Sequence, residues 1–244
     1  MSEKNKKGIL VMVDGIDGSG KGVIVKALAD WAKTRQMKIF DLRNFWKEKH
    51  TFPEPEEIAD YDVIVSNEPT FAMVGQAIRE EIVRENNRHY SAWSTAQAFS
   101  LDREILYRRI IIPALAQGKI IFQERGVTTS IIYQPIQEEP LEPEKIMELP
   151  GNKLALEHRP DLLIIAQVDP KEAMARLAER DKKDNSIFEK LPFLEKIAER
   201  YASPWFQELM EKRGSKLVYL KTDKTVYDTI DESDALWENF YCLG

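Results

Sequence analysis

The stretch Ile9-Leu10-Val11-Met12-Val13-Asp14-Gly15-Ile16-Asp17-Gly18-Ser19-Gly20-Lys21-Gly22 constrains this chain more than any other. A short apolar run, read as a central parallel strand buried on both faces, ends in three glycines and a lysine. Val23 to Gln36 then follows a helical period, with Ile24, Leu28 and Trp31 on one face. A phosphate-binding loop needs Gly, four residues, Gly, Lys, and then Ser or Thr. Gly15, Gly20 and Lys21 fit that spacing, and Gly22 does not. Gly15, Gly18 and Gly20, with Ser19 between, let successive N–H groups curl around phosphate oxygens. The helix that starts there adds its positive dipole end, and Lys21 adds a full charge.

The remaining strands are expected at Lys38–Leu42, Tyr61–Ser66, Lys119–Gln123, Asp161–Ala166 and Lys216–Leu220. Helical segments alternate with them: Val74–Arg84, a long Ser91–Gln117 closed by Gly118 and bent at Pro113, Thr128–Tyr133, Pro170–Arg180 and Phe193–Lys212. A short helical tail follows Thr225. Arg43 to Tyr61 and Pro135 to Gly151 read as a loop or insertion and a surface excursion, because both are polar and proline-bearing. The pattern predicts an α/β fold with a parallel sheet of five or six strands, helices on both faces, and ligands beyond the strand C-termini. One domain is expected over residues 1–244, with an insertion at about 43–62 and a small lid at about 181–189.

With 35 basic and 41 acidic residues, the chain offers no broad nucleic-acid surface. The lone Cys242 excludes an internal disulfide, and His50, His89 and His158 form no metal set with it. Neither a signal peptide nor a membrane span is evident, so the expectation is a soluble cytoplasmic protein that binds small-molecule nucleotides. Lys221-Thr222-Asp223 lacks the asparagine of a guanine-reading motif, since Leu220 stands there.

Phosphoryl transfer asks for positioning and for positive charge around the moving group. Arg125, directly after a buried strand, either reaches such a point or pairs with Glu124 as a surface arginine. Within the long helix, Phe99 and Arg103 lie one turn apart, suited to stack on a base and to grip an acceptor phosphate, or to serve as a core phenylalanine and a solvated arginine. Arg176 and Arg180 precede the polar loop 181–189, either as lid arginines or as a solvated face. Asp17, Glu68 and Glu124 are acids near the loop, available to Mg²⁺ or its waters, or to caps and ion pairs.

Together and in this order, these segments resemble the thymidylate kinase family of the P-loop nucleoside monophosphate kinases. The loop from Gly15 to Lys21 carries that family's internal acid as Asp17, and Glu68-Pro69-Thr70 resembles its Arg-Glu-Pro segment. Phe99 with Asp102-Arg103 resembles its base-stacking helix motif, and Glu124-Arg125 with Tyr133 resembles its Asp-Arg-Tyr segment and downstream tyrosine. Asp184, Phe188-Glu189 and Tyr201 match the lid and the helix after it. The resemblance implies a P-loop NTPase fold, ATP as donor, Mg²⁺, dTMP as acceptor and a homodimer. It places Lys21, Arg125, Arg180 and Asp17 in catalysis, and the loop from Gly15 through Gly22 with Arg176 and Arg180 on ATP. Glu68, Phe99, Arg103, Arg125, Ser130, Tyr133 and Arg43 fall to the acceptor, and Asp17 and Glu124 to the metal.

Several positions depart from the family pattern. Gly22 lacks the hydroxyl that touches Mg²⁺, Asn67 replaces the arginine before Glu-Pro, Glu124 replaces aspartate, and Gly126 replaces the tyrosine after Arg125. Two other functions fit these departures. One is a deoxynucleoside kinase with Glu68 as general base. The other is a nucleotide-binding module without turnover.

Overall fold

The computed structural model describes residues 7–179 and 190–243. The described residues form a six-stranded parallel sheet in the order β2-β3-β4-β1-β5-β6. Its strands are β1 Ile9–Gly15, β2 Ile39–Asp41, β3 Val63–Asn67, β4 Ile120–Glu124, β5 Leu162–Gln167 and β6 Lys216–Lys221. Successive side chains alternate between two covered faces, so the inner strands are apolar along most of their length. They turn polar only toward their C-terminal ends, at Asp14, Ser66-Asn67, Gln123-Glu124 and Gln167. Val11 and Val13 enter one layer with Ile24, Leu28 and Trp31 of α1 (Lys21–Thr34). Leu10 and Met12 enter the opposite layers, with Leu106 and Tyr107 on one side and Leu194 and Phe206 on the other. This arrangement is α/β and P-loop NTPase-like.

The strand C-termini share one edge. In register, Val13 and Asn67 both lie opposite Glu124, Gly15 lies opposite Ala166, and Gln167 lies opposite Lys221. The phosphate loop therefore opens beside Asn67-Glu68 and Glu124-Arg125.

Several segments differ from their sequence reading. The stretch expected as a loop after β2 contains α2 (Leu42–Lys49) and α3 (Pro55–Ile58). Asp41 caps α2 by accepting from the Arg43 N–H at 3.0 Å, and Leu42, Trp46, Phe52 and Ile58 are buried. Charged residues on the outer faces hide that apolar side from composition. Next come α4 (Met73–Ala77), extended by a wide turn to Ile82, and α5 (Ala92–Leu106). A wide π-turn at Tyr107–Ile111 continues α5 into α6 (Ile112–Ala116). The turn falls just before Pro113, whose missing N–H breaks the regular ladder. Gly118 closes the helix with φ 76°.

After α7 (Val127–Tyr133) the expected surface excursion instead holds α8 (Pro143–Glu148) and α9 (Pro150–Glu157). Pro143 and Pro150 are first helical residues, where a missing N–H costs nothing. Ile146, Leu149 and Ala155 are buried. On the far side follow α10 (Pro170–Ala178), α11 (Leu191–Tyr201) and α12 (Pro204–Glu211). The tail is not short: α13 spans Val226–Leu243 and drives a fully buried Trp237 between Trp31 and Phe122. Its inward face carries Thr229 and Ser233 ahead of Trp237, and their hydroxyls bond back to backbone carbonyls one turn earlier, so the apolar face is evident only from Leu236 onward. Among the described residues no helix is long and apolar enough to cross a membrane.

Candidate active site

The shared edge encloses a cavity of about 610 Å³. One wall is the phosphate loop. Gly18 has φ +79°, and a Cβ there would come 2.5 Å from the Ala173 carbonyl oxygen. Gly20, at φ 82°, is the N-cap of α1 and offers no side-chain acceptor. The first N–H groups of α1 thus lack a side-chain cap beside the cavity, which suits an anion. Thr222 braces the loop from behind by donating its hydroxyl to the Ser19 carbonyl at 2.8 Å. Buried Lys21 donates to the carbonyls of Ile16 (2.6 Å) and Gly15 (3.3 Å). Burial, and then the nearby Arg125, lower its ammonium to about 8.

Arg125 follows β4 with φ +63°, a region costly for a residue with a Cβ. Its N–H donates to the Val13 carbonyl at 2.8 Å. Its guanidinium pairs with Asp17 and approaches Tyr133 Oη at 3.5 Å and Asp14 at 3.7 Å. Burial opposes its charge, but Asp17, Tyr133 and Asp14 outweigh that and hold it above the ordinary arginine range. Asp14 is itself fully buried and accepts from the Gly15 N–H at 2.9 Å and from Thr128 and Thr129.

Opposite the loop stand Glu68, Phe71, Arg79 and Phe99. Arg79 lies 3.7 Å over the Phe71 ring and donates to the carbonyls of Pro69 and Thr70. Thr129, Ser130, Tyr133 and Gln134 of the β4–α7 side complete the lining. Gln134 Oε1 is buried with no partner among the described residues.

Not every expected site residue reaches the wall. Lys21, Asp17, Gly18, Gly20, Gly22, Glu68, Phe99, Glu124, Arg125, Ser130 and Tyr133 do, and Gly15 and Ser19 lie just behind them. Arg103 does not line the cavity. It is 1% exposed and donates to Glu68 Oε2 at 2.8 Å, to the Gly126 carbonyl at 3.0 Å, to Ser130 at 3.2 Å and to Asn152. Arg43 is paired with Asp41 at the end of β2, and Arg176 bonds Glu172 and the Thr222 carbonyl at 2.6 Å, both off the wall. Arg180, the 181–189 lid, Asp184 and Phe188-Glu189 lie outside the described residues. Tyr201 is buried in the core beneath the loop.

Glu68 is nearly inaccessible, with Oε2 on Arg103 and Oε1 accepting from Gln123 at 2.9 Å. Burial pushes its carboxyl up to about 7, against the pull of Arg103. Sequence reasoning missed Asp14, Arg79, Gln123, Gln134 and Asn152. Asp14 alone carried a signal, as an acid inside an apolar strand.

A family model described as thymidylate kinase matches residues 56–232, well over half of the chain. A relative named probable thymidylate kinase from Caldivirga maquilingensis is 30% identical over 172 residues, covering 70% of this chain and 69% of its own. The chain belongs to the thymidylate kinase family. A probable thymidylate kinase from Pyrococcus abyssi is 29% identical over 188 residues, 76% of either chain. The thymidylate kinase of Mycoplasmoides gallisepticum is 27% identical over 228 residues, covering 92% of this chain and 93% of its own. The family match begins after the phosphate loop. The loop assignment therefore stands on its own spacing and geometry, and the two lines agree on an ATP-dependent kinase.

Proposed function

We propose that this member of the thymidylate kinase family transfers the γ-phosphate of ATP to dTMP, giving ADP and dTDP. The observation that carries the reading is one cavity joining a lysine-bearing phosphate loop, whose helix has no side-chain cap, to an aromatic and arginine wall across Arg125. Loop amides and Lys21 hold the donor phosphates, and Arg125 neutralises charge on the transferred group. Phe99 supplies a stacking face for the base, with Ser130, Tyr133 and Gln134 as polar contacts along the acceptor. A dTMP phosphate oxygen, already ionised, attacks the γ-phosphorus in line as the bond to ADP breaks. No general base is required. The state of Glu68 supports this over a nucleoside kinase, because Arg103 and Gln123 already occupy both of its oxygens.

The donor set also suits Mg²⁺. Glu124 lines the cavity, and its carboxylate makes no ion pair or side-chain hydrogen bond among the described residues. One carboxylate plus phosphate oxygens and waters satisfies this ion, and no group of three potential protein ligands is needed or found among the described residues. Glu124 and, through its waters, Asp17 would hold the ion, which would supply positive charge to offset that of the donor phosphates. Arg180 and the homodimer remain parts of the same proposal. Sedimentation at twice the 28.3 kDa chain mass would support the dimer.

The test is ADP release from Mg-ATP across nucleosides and nucleoside monophosphates. Turnover with dTMP is expected. Turnover with nucleosides alone would make Glu68 a base, and ATP binding without any turnover would leave a binding module.

A further inference from the structure

We propose that Gln123 is a positioning residue of the transfer site, whose one amide ties the Glu68 carboxylate to the left-handed backbone of Arg125. The inference rests on the role given to Arg125 above. Gln123 is fully buried on β4, in register with Met12 of β1 and Ser66 of β3. Its Nε2 donates to Glu68 Oε1 at 2.9 Å and to the Arg125 carbonyl at 3.0 Å. Turned over, the amide would face both acceptors with its own oxygen, so the donor orientation is fixed by its neighbours. That orientation leaves Oε1 buried without a partner among the described residues. An orphaned buried acceptor is unfavourable, and an apolar side chain would avoid it. The amide earns its place through its two donated bonds.

Both bonds serve groups that line the cavity. The Arg125 backbone sits at φ +63° and is held from both ends, by the Val13 carbonyl on its N–H and by Gln123 on its carbonyl. That pair of bonds aims the guanidinium at the phosphate loop, where it meets Asp17. The other bond locks the free oxygen of Glu68, whose second oxygen is on Arg103. The next residue conforms to this arrangement. A Cβ on Gly126 would come 3.2 Å from Gln123 Nε2 and 2.7 Å from Met12 Sδ. The glycine after Arg125 and the glutamine before Glu124 thus form one packing unit.

Steady-state kinetics of Gln123→Met, alone and combined with Arg125→Ala, tests the assignment. Methionine keeps the length and loses the donor. The expected result is a fall in kcat of about tenfold with the KM for ATP within about twofold, as for a misaimed rather than missing group. In the Arg125→Ala background the same change should alter kcat by less than about twofold, because the residue through which it acts is gone. Equal losses in both backgrounds, or an unchanged kcat, would overturn the proposal. Wild-type protein inactive with every acceptor would instead overturn the reading of function.

If Gln123→Met does not fold, Gln123→Asn replaces it. The shorter amide keeps its donors but does not reach both acceptors at once. The same fall in kcat with the KM for ATP within about twofold is expected, and again less than about twofold in the Arg125→Ala background. Equal losses in both backgrounds, or an unchanged kcat, would overturn the assignment.

Discussion

Gly22 is the second residue of α1, at the position where a phosphate loop ordinarily carries a metal-binding hydroxyl. Its backbone does not need glycine, because its φ is not among the positive ones. A Cβ placed there meets Glu124 Oε2 at 3.7 Å, an ordinary contact, and nothing nearer. Gly22→Ala should therefore fit without displacement and stabilise the helix. Glycine in a helix interior costs about 1 kcal/mol relative to alanine, and a first-turn site less, so a gain of about 0.5–1 kcal/mol is expected. For a chain of this size that raises Tm by roughly 1–4 °C, read by calorimetry without nucleotide. The new methyl also takes space beside the carboxylate assigned to Mg²⁺. The Mg²⁺ concentration for half-maximal turnover should therefore rise severalfold. Gly22→Ser returns an oxygen to that place and should keep the wild-type Mg²⁺ dependence within about twofold. A lower Tm in Gly22→Ala would refute the conformational argument. An unchanged Mg²⁺ dependence would refute the placement of the metal on the Gly22 side of Glu124.

Lys21→Ala and Arg125→Ala should each lower kcat by about 10²–10³-fold with the fold intact by circular dichroism, the range for removing one charge-stabilising donor; wild-type rates in either would refute its role. Lys21 titrates near 8 in the free protein, and bound phosphates favour its charged form, so ATP binding near pH 8 should take up a proton. Calorimetry in buffers of different ionisation enthalpy reads that uptake, which Lys21→Met should abolish. Glu68, raised to about 7 by burial, binds a proton in the folded state over a range where the unfolded chain has lost it. Its contribution to stability is thus full below about pH 4.3 and lost as pH rises through about 7. Glu68→Gln should flatten that part of the stability profile, and an unchanged slope would assign it elsewhere. Arg103→Met leaves Glu68 buried without its cation, which should cost about 3–5 kcal/mol at pH 8 by urea unfolding and clearly less at pH 5, where Glu68 is protonated.

The sheet, its parallel sense and the phosphate loop were legible in the sequence because each is a local signal. Ile9 to Val13 is apolar at every position, the loop glycines hold fixed spacing, and Ile24, Leu28 and Trp31 repeat at the helical period. The acids and arginines at the strand ends could also be placed, since a parallel sheet sends all its C-termini to one edge. Tertiary structure decided which of them face the cavity. Arg103 and Phe99 share one helix motif, yet Phe99 lines the cavity and Arg103 turns inward to Glu68 and Asn152. Asn152 comes from α9, about fifty residues away, and no local pattern connects the two. The helices in 42–58 and 143–157 went unread because their few buried residues, Trp46 and Ile146 among them, are diluted by charges on the outer side. α13 was legible as a helix after Thr225 but not at its full length. Thr229 and Ser233 are polar in sequence yet bond to backbone carbonyls one turn earlier, so burying them carries little penalty and the apolar stripe is evident only from Leu236 onward. Periodicity reports what a segment does alone, whereas the ties of Gln123 and Arg103 exist only once distant segments are packed together.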